Sequence, residues 1–349
     1  MEKTLAKNRM NKILQLFDEK LVLDLFREKV LPHYPAFVAL SRVEIKPYKE
    51  LIWETTYHVV ISFNTYFLKA DGEEVKIPIV CSAHSDEPRE NIYRALKYLW
   101  AEKFPTPTID LPDPLFYSAY FRGTFYRGLK GENLLYYIKN KDLATVEEIV
   151  VAAAGLFARL HSLPPTPAAD FNPLSSRIET VIPGTAAIFR EMGARYDNKY
   201  NVDLVKIYDR LIAAEEKFFR ATDRRFLIHG DAHPENIIKT APGRVGLIDF
   251  TDLCLGDFAR DLGSFLQQLE YKVIIKIGDQ VYADKLKELF LSAYLKVSGR
   301  ELTPDLQARI DLYYNWTAIR TATFWFLKFG HNEKRAEELL NRVKENLKL

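Results

Sequence analysis

His229-Gly230-Asp231-Ala232-His233-Pro234-Glu235-Asn236, followed by Gly246-Leu247-Ile248-Asp249-Phe250, is the stretch whose reading decides the fold. It sets two carboxylates and one carboxamide at fixed intervals, with Asn236 five positions after Asp231 and Asp249 thirteen positions after Asn236. Moving a phosphoryl group needs an acceptor hydroxyl held in line and a cation that neutralises phosphate oxygens. One carboxylate must face the hydroxyl, and Asp231 is placed for that. A carboxamide and a second carboxylate must hold Mg²⁺ through hard oxygen atoms, and Asn236 and Asp249 supply them. The segments 236–239 and 244–248 flank Thr240-Ala241-Pro242-Gly243, which has hairpin-turn composition. A hairpin there brings its two ends, Asn236 and Asp249, side by side. The bland alternative is a surface hairpin with incidental acids. D-x-x-x-x-N alone recurs by chance, so the catalytic reading rests on the hairpin, the apolar strand before Asp249 and the phenylalanine after it.

Outward from this stretch, the chain divides by pattern. Residues 2 to about 31 read as one or two amphipathic helices, with Ile13, Leu14, Leu16, Phe17, Leu21, Leu23, Leu25 and Phe26 at near-helical spacing. Short strands are expected at 43–46, 57–63 and 75–81, the last two joined by Ala70-Asp71-Gly72-Glu73. A helix with Pro88 in its first turn follows, and Ile92, Ala95, Leu96, Leu99 and Trp100 form its stripe. Two further strands, 115–120 and 124–126, complete five. From about residue 129 the pattern turns helical, with a strongly apolar helix at 146–160, others at 202–220 and 258–269, and aromatic-rich helices towards the end. The expected organisation is therefore α+β in two lobes. Residues 1–42 are N-terminal helices on the small lobe, 43–128 a β-rich nucleotide-binding lobe, and 129–349 a mainly helical lobe carrying the catalytic hairpin.

Composition bounds the partners. The chain has 349 residues, 48% of them hydrophobic, and a formal net charge of +2 from 49 basic and 47 acidic residues. That length supports two lobes with a sizeable core, and that balance argues against a nucleic-acid binder. The longest apolar run, Ile149 to Ala158, is too short to span a bilayer, so no membrane is expected. Met1-Glu2-Lys3-Thr4 is followed by no apolar signal region. Two isolated cysteines, Cys81 and Cys254, offer neither a disulfide framework nor a zinc site, which fits a cytoplasmic protein.

The catalytic stretch resembles the aminoglycoside phosphotransferase and choline kinase family, the small-molecule branch of the protein-kinase-like fold. Residues 228–236 match H-G-D-x-H-x-x-N. Ile248-Asp249-Phe250 with Gly256-Asp257 and Asp261-Leu262 matches I-D-[FW] followed by G-D-x-x-x-D-L, and Leu160-His161 matches the L-H ending a core helix. The match is specific between about residues 150 and 270. The resemblance implies ATP and Mg²⁺ as cofactors, a small-molecule hydroxyl as acceptor, Asp231 as base or hydroxyl-orienting acid, and Asn236 and Asp249 as Mg²⁺ ligands. His229, His233 and Asp261 would support the loop, Asp261 by accepting backbone N–H bonds.

The small lobe departs from that pattern. Residues 46–56 hold no glycine where a phosphate-cradling loop is expected. The third strand should carry a lysine near Cys81 or Ser82, paired to a glutamate on the next helix. Glu90 serves as the glutamate. Lys76 is the only candidate on the strand, and it lies early. Its rival reading is a solvated hairpin lysine. An acidic acceptor pocket, as a polycationic aminoglycoside would need, is not expected, because the stretch from Ile310 to Phe329 contains Asp311 as its one acid. Tyr313, Tyr314, Trp316, Trp325 and Phe326 would form either a stacking surface or core. Two other functions stand beside the kinase: a pseudokinase that binds nucleotide with little or no turnover, and a zinc hydrolase built on His229, Asp231 and His233.

Overall fold

The computed structural model describes residues 11–328 and 332–349. The helix expected over residues 2–10, and Phe329 of the aromatic stretch, lie outside them. Packing divides the chain into a first unit, residues up to Gly131 together with Ile248–Thr251, and a second unit, Glu132–Leu247 with Asp252–Leu349.

The first unit is an antiparallel sheet of five strands, β1 (Ala39–Ile52), β2 (Tyr57–Leu68), β3 (Glu74–His84), β4 (Asp113–Ser118) and β5 (Gly123–Arg127), in the order β1-β2-β3-β5-β4. Alternation along β2 buries Tyr57, Val59, Ile61, Phe63 and Phe67, and β3 adds Ile79, Cys81 and Ala83 to the same core. Helix α1 (Glu19–Lys29) covers that face. Asp18 caps it by accepting the N–H groups of Lys20 and Leu21. Its Phe26 ring meets Phe63 edge-on at 5.2 Å. Burying a ring of this size stabilises the fold by roughly 2–3 kcal/mol.

Two expectations change here. The first strand runs over Ala39–Ile52 and not only 43–46, pairing with β2 from Ala39↔Leu68 to Ile52↔Tyr57. Backbone pairing extends it through a polar, exposed stretch where side-chain alternation gives no signal. Helix α2 (Glu90–Ala101) begins after Pro88, with Arg89 at its cap position. Proline therefore lies just outside the helix and not in its first turn.

The second unit is mainly helical. Helix α3 (Leu134–Lys139) leads into α4 (Leu143–Leu160), half of whose residues are buried. Helix α5 (Thr185–Tyr196) and α6 (Asn201–Ala221) precede the catalytic stretch. Helices α7 (Ala259–Lys276), α8 (Gln280–Ser298), α9 (Pro304–Leu327) and α10 (Glu333–Leu347) follow it. Helices α7 and α9 cross at Gly263, where a Cβ would stand 2.5 Å from the Ile310 carbonyl oxygen. Only glycine permits that approach. Within this unit the expected hairpin is present, Ile237–Ala241 pairing antiparallel with Arg244–Leu247. Among the described residues no helix is long and apolar enough to cross a membrane.

Candidate active site

The loop that carries Asp231 leaves the short strand Phe226–Ile228, which pairs with Cys254–Gly256. Gly230 turns the chain at φ +82°, and a Cβ there would sit 2.4 Å from the Asp252 carbonyl oxygen. No other residue fits both the dihedral and the space. The buried carboxylate of Asp261, in the first turn of α7, accepts the backbone N–H groups of His229 at 2.7 Å and Gly230 at 2.9 Å. His161, at the end of α4, sets Nε2 3.0 Å from the same carboxylate and Nδ1 2.9 Å from the Tyr294 hydroxyl. Burial alone would raise the Asp261 pKa, but the bonds from His161 and the loop backbone outweigh it and hold the group below the usual carboxylate range. Its neighbour Arg260 donates from Nη2 to the Gly230 carbonyl at 2.9 Å, its guanidinium lying 4.7 Å from the centre of the Trp316 ring. Arg260 escapes a reading of the sequence. Nothing in its local sequence marks it, since a cation beside Asp261 at a helix start reads as an ordinary surface pair.

Asn236 is buried at the end of a short 3-10 turn, Pro234–Asn236. Its Nδ2 donates to the Asp231 carbonyl at 3.0 Å, so the amide nitrogen is committed within the loop and Oδ1 is left for another ligand. The Asp231 side chain stays 37% exposed, with Arg320 Nη1 3.8 Å from one carboxylate oxygen and His233 Nε2 3.4 Å from the other. His233 lies between acids, with Nδ1 3.0 Å from Glu235, and its Nε2 also abuts the Asn236 amide nitrogen at 3.0 Å. Burial opposes charge on His233, but the carboxylates of Asp231 and Glu235 overcome it and raise its pKa to about 10. The Asn236 contact suits a neutral ring and the two acids a cationic one. Flanking charge is the stronger influence, so the imidazolium is the resting form. Asp231 moves the other way. Burial would raise its pKa, but the charges of His233 and Arg320 keep it ionised. Asp231 lines a cavity of about 380 Å³ whose wall includes His233, Gln268, Lys272, Arg320 and Trp325.

Asp249 lies in the segment Ile248–Thr251, which packs with the first unit although the hairpin before it packs with the second. Asn91 on α2 is one tie, its Nδ2 donating to the Thr251 carbonyl at 3.0 Å. Asp249 holds φ +62°, a left-handed conformation unusual for a side chain other than glycine and concentrated at functional positions. The Thr251 hydroxyl donates to its Oδ1 at 2.7 Å, and among the described residues nothing hydrogen-bonds its Oδ2. Asn236 directly precedes Ile237, which pairs with Leu247, two residues before Asp249. Taken singly, the Asn236 carboxamide oxygen and the Asp249 carboxylate oxygen are hard donors of the kind that suit Mg²⁺. No cluster of three or more His, Cys, Asp or Glu side chains suited to a metal occurs among the described residues, so the zinc-hydrolase reading finds no ligand set.

The sequence profile of the phosphotransferase enzyme family matches residues 55–299. The chain belongs to that family. No curated protein sequence matches it significantly. Among solved structures, aminoglycoside phosphotransferase APH(4)-Ia is 13% identical with a TM-score of 0.54, covering 94% of this chain and 97% of its own. An ADP-bound aminoglycoside phosphotransferase, APH(2'')-Ib, is 15% identical with a TM-score of 0.51, covering 90% and 95%. Plasmodium vivax ethanolamine kinase is also 15% identical with a TM-score of 0.51, covering 86% and 81%. At these identities the likeness is one of fold, and the fold is the two-lobed, protein-kinase-like one.

In this phosphotransferase the two small-lobe candidates stand apart. Lys76 pairs with Tyr66 near the start of β3, eight residues and roughly 26 Å of extended strand from His84 at its end. Glu90 is exposed in the first turn of α2, and no ion pair joins it to Lys76 among the described residues. Of the aromatic candidates, Tyr313, Trp316 and Phe326 are buried core, whereas Trp325 lines the cavity beside Asp231 and donates its indole N–H to Tyr271 at 2.6 Å.

Proposed function

We propose that this phosphotransferase moves the γ-phosphate of ATP to a hydroxyl of a small molecule with the help of Mg²⁺. The observation that carries the reading is the Asp231 carboxylate, ionised and half-exposed at the wall of a cavity, on a loop whose backbone is pinned by Asp261. A carboxylate so placed orients an acceptor hydroxyl and takes its proton as the new P–O bond forms. His229 and Asp261 fix the loop, and His233 keeps Asp231 charged. Asn236 through Oδ1 and Asp249 through Oδ2 would hold Mg²⁺, which supplies positive charge to the phosphate oxygens when bound. The committed Nδ2 of Asn236 is what fixes the orientation of that amide. Three intact groups of this kind argue against nucleotide binding without turnover.

The cavity also bears on the acceptor. Lys272 and Glu235 satisfy one another at 2.5 Å, but Arg320 makes no hydrogen bond among the described residues and faces Asp231 from the cavity wall. A cationic wall beside the base disfavours a polycationic acceptor and favours a neutral or anionic hydroxyl compound. The test is ADP release from Mg-ATP across a panel of sugars, amino-acid alcohols, hydroxy acids and aminoglycosides, with Asp231→Asn as control. Transfer to a panel member that disappears in the variant supports the reading. No acceptor-dependent turnover, or turnover indifferent to Asp231, overturns it.

A further inference from the structure

The family pattern calls for a lysine on β3 near Ser82, and there is none. Strand register shows what lies nearby. Lys49 on β1 pairs with Val60 on β2, and Val60 pairs with Ser82 on β3. Directly paired residues share a sheet face, so Lys49 and Ser82 occupy one rung of one face, two strand spacings or about 10 Å apart. Lys49 reaches that face because of a bulge. The register slips between Pro47↔Ile61 and Lys49↔Val60, leaving Tyr48 unpaired. Ile61 belongs to the core face, so in an unbroken ladder Tyr48, not Lys49, would pair with Val60.

Around Lys49 the same face gathers groups able to bind an anion. Its Nζ is 3.3 Å from His58 Nε2, and the His58 and His84 rings pair across β2 and β3 with centroids 4.6 Å apart. His84 Nδ1 accepts the backbone N–H groups of Asp86 at 3.1 Å and Glu87 at 3.0 Å, which leaves its Nε2–H as a donor. Arg89, buried at the start of α2, bonds Glu87 at 3.2 Å, while its Nε has no partner. Lys49 forms no ion pair among the described residues. The carboxylate of Asp249, in the same unit, acts on both Lys49 and His58. Burial, together with Lys49 and Arg89, pushes His58 down to about 4, so it serves as a neutral hydrogen-bonding ring. Lys49 and Arg89 thus place two cations on this face beside Asp249, with Glu87 paired to Arg89 and Asp86 and Glu87 near His84.

We propose that Lys49, carried onto the Ser82 face of the sheet by the β1 bulge, takes the place of the missing β3 lysine and binds the polyphosphate of the nucleotide, with His84 as a second donor. The proposal rests on the ATP-dependent reading above. It names a lysine from a different strand and dismisses Lys76.

Isothermal titration calorimetry of the full chain with Mg-ATP and, separately, with adenosine tests it. For Lys49→Met, ATP affinity should fall about tenfold or more, the loss expected for one charge-assisted contact. Adenosine affinity should stay unchanged, Lys49→Arg should retain most ATP affinity, and Lys76→Met should bind both ligands as the wild type does. Lys49 is exposed, so its variants should keep the wild-type unfolding temperature. Unchanged ATP affinity in Lys49→Met, an equal loss for adenosine, or a selective ATP loss in Lys76→Met overturns the assignment and leaves the kinase reading standing. A wild-type chain that binds neither Mg-ATP nor adenosine overturns both.

Discussion

The catalytic loop and the basic face of the five-stranded sheet serve one proposed reaction, yet they are built in opposite ways. In the loop the backbone is tied down from several sides. Asp261 takes two backbone N–H groups and His161, Arg260 takes the Gly230 carbonyl, and Asn236 spends its amide nitrogen on Asp231. On the sheet face Lys49, His84 and Arg89 keep hydrogen-bonding capacity in hand. A base and its metal ligands must hold fixed positions to within a fraction of an ångström, and only a pinned loop does that. A polyphosphate spreads its charge over many oxygens. A lysine on any strand that reaches the same volume meets that need, so its position in sequence is free to drift.

Substitutions at the two regions should separate them. The largest effect is expected for Asp231→Asn, which should lower acceptor-dependent turnover about 10³-fold while leaving Mg-ATP affinity, measured by calorimetry, near wild type. A comparable loss of nucleotide affinity would mean that the loop also holds nucleotide, and the contrast would fail. Next comes Asp261→Ala. It strands two buried N–H groups and a buried histidine, and should cost about 3–5 kcal/mol of unfolding free energy in urea. A variant within 1 kcal/mol of wild type would show that the loop is not pinned from α7.

A smaller effect concerns pH, and it sharpens how tightly the second unit is packed. Glu215, buried on α6, accepts the Ile178 N–H at 3.0 Å and faces the Tyr313 hydroxyl at 3.0 Å. Burial raises its pKa to about 7, despite those bonds and the pull of Arg260. The folded chain therefore binds more protons at this site than the unfolded one between about pH 4.5 and 7, so its contribution falls as pH rises through that window. The loss is about 3 kcal/mol at most. Glu215→Gln should remove it, and unfolding temperatures of variant and wild type should diverge from pH 5 to pH 7 and then run parallel. Parallel curves throughout would show that Glu215 titrates normally. The smallest effect is the tenfold loss of ATP affinity in Lys49→Met, the one test that addresses the sheet face directly.

Much of the second unit was legible because its chemistry is written in contiguous residues. The spacing of Asp231, Asn236 and Asp249, the hairpin between them, and Asp257 to Leu262 behind them are local in sequence, and the apolar helix ending at Leu160-His161 is periodic. The first unit was legible in element order and not in its site. The polar run Lys46 to Leu51 reads as a loop because no alternation marks it, and only pairing with β2 reveals a strand there.

By itself, then, the sequence determined the kinase-like layout and the spacing of the proposed catalytic residues, since both depend on short-range spacing and periodicity. Tertiary structure decided three things that spacing does not encode. It placed Ile248–Thr251 with the first unit, where Asn91 bonds Thr251, and it pinned the Asp231 loop with Arg260 and His161, 30 and 69 residues from the loop positions they serve, Gly230 and (through Asp261) the same turn. It also turned Lys49 onto the face of Ser82 through a one-residue bulge. Each depends on register and on packing between segments far apart in the chain, where a shift of one residue reverses the face a side chain presents.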